Sequence, residues 1–126
     1  MYLRFVLTEV DEDSTRKKGI LVAGHELRDE RELSREDHAR LVQLLEWFNA
    51  HLEIPRVLQE GEHERALSWF KAEAAEPIAK TWELVHLLRA HGVLVELLKT
   101  ADPGHVLYED DWQLVATPRR GKRGPW

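Results

Sequence analysis

Apolar and polar residues alternate at the start of this chain, then shift to helical spacing, and return to alternation near its end. Leu3, Phe5 and Leu7 fall on one side of residues 2–10, with Arg4 and Thr8 on the other. That two-residue period predicts a half-buried strand. Asp11-Glu12-Asp13-Ser14-Thr15 is a polar break whose last members can cap a helix. Ile20, Ala23 and Leu27 then recur at helical spacing, although Gly19 and Gly24 weaken such a helix by up to about 1 kcal/mol each relative to alanine.

The second helix has the clearest pattern. Ser34-Arg35-Glu36-Asp37 resembles a capping box, with aspartate in place of the usual glutamate. Leu41, Leu44, Leu45, Phe48 and Leu52 continue it as an apolar stripe. Pro55 stops it, because the residue before a proline is pushed out of the helical region. A third helix is expected over 62–75, presenting Leu67, Phe70 and Ala74. Pro77 suits the first turn of a fourth, which would carry Ile78, Trp82, Val85 and Leu88 inward. Gly92 is placed to end that helix in the left-handed conformation.

From Val93 the period is that of strands. Val93–Leu98 is too apolar for an exposed edge. Asp102-Pro103-Gly104 is a turn signal, since proline sets φ at one position and glycine accepts positive φ at the next. Val106–Tyr108 and Trp112–Ala116 are two further strands with Glu109-Asp110-Asp111 as the hairpin between them. The expected architecture is α+β and two-layered: a four-stranded, mostly antiparallel sheet made of one strand, four helices and a three-stranded meander, with the helices on one face. If Leu3, Phe5 and Leu7 face the helices, Tyr2, Val6 and Val10 face away. The same alternation sends Trp112 and Leu114 inward and Val115 outward. Such a domain leaves an apolar sheet face in water, which predicts a symmetric dimer or an obligate partner there.

Composition narrows the classes. A chain of 126 residues is one domain by length, here 1–118, followed by a basic tail over 119–126. It has no cysteine, which excludes disulfides, thiol catalysis and thiolate metal sites. No stretch reaches the 18 or more apolar residues of a membrane span, and the N-terminus lacks the apolar core of a signal peptide, so a cytoplasmic protein is expected. Five tryptophans are many for this length, and Trp47, Trp69, Trp82 and Trp112 can all serve one core.

Charge is unevenly spread. Every acidic residue precedes Trp112, while the tail carries Arg119, Arg120, Lys122 and Arg123. Without those four, 14 basic residues face 23 acidic ones, so a body at −9 sits in a chain at −5. This division suggests contact with another macromolecule. Four tail charges limit the salt slope of duplex binding to about −3.6, and the acidic body opposes nucleic acid, so protein is the favoured partner.

No catalytic, metal or cofactor motif stands out. His86 and His91 are five residues apart and point about 140° apart on a helix, unlike the i, i+4 spacing of helical zinc pairs. His63 has Glu62 and Glu64 beside it, and adjacent helical residues do not converge. No glycine-rich phosphate loop occurs, and Ser68 is outside a Gly-x-Ser-x-Gly elbow.

Two segments carry the candidate binding residues. In Arg65-Ala66-Leu67-Ser68-Trp69-Phe70-Lys71, read as a helix, Arg65 and Trp69 lie four apart and could stack or receive a partner. Tyr108-Glu109-Asp110-Asp111-Trp112-Gln113 is an acidic hairpin flanked by aromatics. Joined, they would form a polar groove of Arg65, Trp69, Lys71, Tyr108, Glu109, Asp110 and Gln113. The plainer alternative is a salt bridge from Arg65 or Lys71 to the hairpin, with the aromatics packed.

The segments 65–71, Trp82-Glu83-Leu84-Val85, His91-Gly92-Val93 and Pro103–Asp110, with Glu46-Trp47-Phe48-Asn49, resemble a family of small uncharacterised bacterial proteins with no established activity. The resemblance implies a bacterial single-domain protein and transfers no catalytic residue. The expected function is a non-enzymatic protein-binding module, accessory, regulatory or an immunity-type inhibitor, acting through its acidic surface or open sheet face. The alternatives are a small enzyme for a nucleotide or other polar substrate in the groove near Arg65, Trp69, Tyr108 and Glu109, and a nucleic-acid accessory factor using the tail.

Overall fold

A computed structural model describes residues 1–10, 17–30, 32–52 and 65–119. The predicted cap at 11–15, the stop at Pro55, the His63 cluster and tail residues Arg120, Lys122, Arg123 and Trp126 lie outside them. The protein is α+β, and the pairs β1–β2, β1–β3, β3–β6 and β5–β6, in the numbering below, are antiparallel. Its described elements are β1 (Tyr2–Val10), β2 (Lys17–Gly19), α1 (Ile20–Arg28), α2 (Arg35–His51), β3 (Leu67–Lys71), α3 (Ala75–Ala90), β4 (Val95–Thr100), β5 (His105–Glu109) and β6 (Gln113–Thr117). The strand order is β2-β1-β3-β6-β5, and β4 also pairs with β1.

Two expectations about the sheet are corrected. The segment expected as a third helix is strand β3 where it is described, lying between β1 and β6. Leu67 and Trp69 alternate with Ser68 and Phe70, so the run also fits a two-residue period, and aromatic residues favour a pleated, half-buried surface. The terminal meander is a β5–β6 hairpin alone, because β4 turns to β1. The short β2 adds another strand that lies before α1.

Contacts group the chain into two compact units, each built from separate stretches. The first comprises Met1–Arg4, Ile54–Ile78 and Leu97–Trp126. Its core places Leu67 and Trp69 of β3 opposite Ala116 and Leu114 of β6, with Tyr2 and Leu98 packed against them. Leu3 opposes Phe70, which opposes Gln113, so Leu3 shares a face with Val115 and lies opposite Leu114. The phase expected for β6 is therefore reversed.

The expected exposed sheet face is also absent from these strands: Val6 and Val115 are both 0% exposed. Phe5, Leu7, Leu114 and Ala116 are buried as well, so both alternating sides of β1 and β6 are covered. The apolar patch on which dimerisation was expected is not open there.

The Asp102-Pro103-Gly104 turn forms as its residues predict. Thr100 Oγ1 donates to the Asp102 carbonyl at 3.1 Å, and Gly104 N donates to Asp102 Oδ1 at 3.1 Å. Gly104 has φ of 109°, and a Cβ there would run into the Thr117 carbonyl. Arg119, the first tail residue, donates from Nε to Asp102 Oδ2 at 2.8 Å.

The second unit comprises Phe5–Glu53 and Ala79–Glu96. Ser34 caps α2 as its sequence suggests, accepting from Asp37 N at 3.1 Å. Leu41, Leu44, Leu45 and Phe48 form the buried stripe of that helix. The three helices approach one another around Gly24, whose nearest side chains are Leu45 of α2 and Leu84 of α3. The buried positions of α3 are Pro77, Thr81, Leu84, Val85, Leu87 and Leu88, while Ile78 and Trp82 are half-buried. Trp82 meets Phe5 edge-on with ring centroids 5.1 Å apart. Arg89 lies over its ring at 5.9 Å.

Candidate functional site

The predicted groove residues separate along β3. Arg65 is exposed and precedes the strand, while Lys71 ends it. Phe70 pairs with Gln113 next to the hairpin turn, whereas Leu67 pairs with Ala116 near the other end of β6, so Arg65 does not join Lys71 at the hairpin. The helical Arg65–Trp69 pairing is lost with the helix. Trp69 is 1% exposed and belongs to the core, which removes it from any surface that a ligand touches.

The remaining predicted residues do come together, around one carboxylate. Asp110 Oδ1 accepts from Trp112 N at 2.9 Å and Gln113 N at 2.8 Å. Its Oδ2 accepts from the Tyr108 hydroxyl at 2.8 Å and from Gln113 Nε2 at 3.2 Å. Aspartate suits this position because its short side chain reaches backbone N–H groups two and three residues onward. Burial pushes the Asp110 carboxyl upward, but the two backbone donors, the Tyr108 hydroxyl and the Gln113 amide outweigh it and hold the group below the usual carboxylate value.

Beside this hub, Lys71 Nζ lies 2.7 Å from Glu109 Oε2. The hydrogen bond from Lys71 to Glu109 raises the ammonium above its ordinary value, with burial opposing and the Glu109 charge assisting. Lys71 N also donates to Trp112 O at 2.9 Å, fastening β3 to the hairpin. The groups expected to bind a ligand thus satisfy one another. Such an arrangement fixes a turn well and leaves the carboxylate little free capacity for acid–base work.

A second arrangement, which the sequence reading did not single out, lies wholly in the other unit. A cleft of about 360 Å³ is lined by Leu7, Thr8, Ala23, Glu26, Leu27 and Glu30, and by Gly92, Val93 and Leu94. Leu7, Ala23 and Leu27 are buried and form an apolar floor. Glu26 and Glu30 are exposed, and Leu94 is 69% exposed.

Local chemistry builds this cleft. α3 ends in a reciprocal pair of backbone bonds, Gly92 N to Arg89 O and Val93 N to Leu88 O, both 3.0 Å. Gly92, at φ 80°, supplies the left-handed residue this ending requires, and the chain emerges with Val93 and Leu94 at the cleft. On the other side, α1 closes at Asp29, whose N–H reaches Glu26 O at 3.2 Å, and Glu30 follows it. The available signal was Glu26, Asp29 and Glu30 at the end of a helix, where the macrodipole disfavours negative charge.

Among the described residues, no group of three or more histidine, aspartate or glutamate side chains is arranged to hold a metal ion. No described helix is long and apolar enough to cross a membrane. No family model, curated protein or solved structure matches the chain.

Proposed function

We propose that this protein is a binding module for another protein, acting through its acidic surface rather than through the aromatic hairpin. The observation carrying this reading is the cleft between Glu26/Glu30 and Val93/Leu94, where charge and apolar surface are presented together. Glu32 and Glu36 are exposed in the following segment and extend the acidic character. The enzymatic alternative has no comparable support, since Trp69 is in the core and the Asp110 carboxylate accepts four internal hydrogen bonds.

Affinity capture from the source cell tests this reading. The wild-type chain is compared with a variant neutralised at Glu26, Asp29, Glu30 and Glu32, all exposed positions. The expected result is a defined protein retained by the wild type, lost with the variant, and rebound in purified form with an affinity that falls as salt rises. Equal retention by both forms overturns the acidic-surface reading.

A further inference from the structure

We draw no further inference here: the strongest candidate, the outer edge of β5 with its exposed Val106, is broken by the bulge between Val106 and Tyr108, and among the described residues nothing shows what covers it.

Discussion

The hairpin around Asp110 and the cleft beside Glu30 contain similar residue types and use them in opposite ways. In the hairpin, carboxylate, hydroxyl, amide and backbone donors point at one another, and Lys71 closes on Glu109. In the cleft, two exposed glutamates and an exposed leucine border an apolar floor at two helix ends. The first pattern stabilises a fold, because satisfied polar groups define a unique local structure. The second places charge and apolar surface side by side at the surface. A concentration of aromatic and acidic residues therefore does not by itself identify a site.

The largest expected effect separates Trp69 as a core residue from Trp69 as a ligand contact. Trp69→Ala should destabilise the protein by about 3–5 kcal/mol in urea unfolding, as aromatic deletions in cores do. A change below about 1 kcal/mol would place the ring at the surface and reopen the groove.

Asp110→Ala comes next. It leaves the Trp112 and Gln113 N–H groups and the Tyr108 hydroxyl without their acceptor, at a cost of about 1–3 kcal/mol. Asp110→Asn adds a test of sign. The folded carboxyl lies below its unfolded value, so the unfolded chain takes up the proton more readily. The stabilisation is complete above the unfolded value of about 3.9 and is lost as pH falls through the depressed folded value. Stability of the wild type should therefore decline below about pH 4 more steeply than that of Asp110→Asn. Parallel acid limbs would mean that the carboxylate charge contributes nothing to the hairpin.

Much of the molecule's local structure was legible because local chemistry determines it. Ser34, Gly92 and the Asp102-Pro103-Gly104 turn act through neighbours in sequence, and each appears as its residue types predict. Residues 67–71 were not legible, since five positions with Leu67, Trp69 and Phe70 fit either period and tertiary pairing with Leu114 and Ala116 decides between them. The fate of Val6 and Val115 was equally hidden, because alternation identifies two faces and says nothing of what covers the second. The hairpin residues of the candidate groove were correctly seen as neighbours, but their mutual saturation depends on hydrogen-bond geometry. The cleft joins residues more than 60 positions apart, Glu26 and Glu30 with Val93 and Leu94, which no local pattern connects.

A smaller effect sharpens the contrast from the hairpin side. The Lys71–Glu109 pair is partly exposed, so Lys71→Met should move the neutral-pH unfolding midpoint least of the hairpin changes. The raised ammonium value means that its contribution is present below the ordinary lysine range and fades as pH rises through the folded value. A wild-type and variant difference that persists unchanged into strong alkali would show that packing of the stem, rather than charge, accounts for it.

The most direct measurement is the affinity capture repeated with Lys71→Met beside the variant neutralised at Glu26, Asp29, Glu30 and Glu32. The account predicts that Lys71→Met retains the captured protein, while the neutralised variant loses it with its unfolding midpoint preserved. A protein lost with Lys71→Met and retained by the neutralised variant would contradict it and return the binding site to the hairpin.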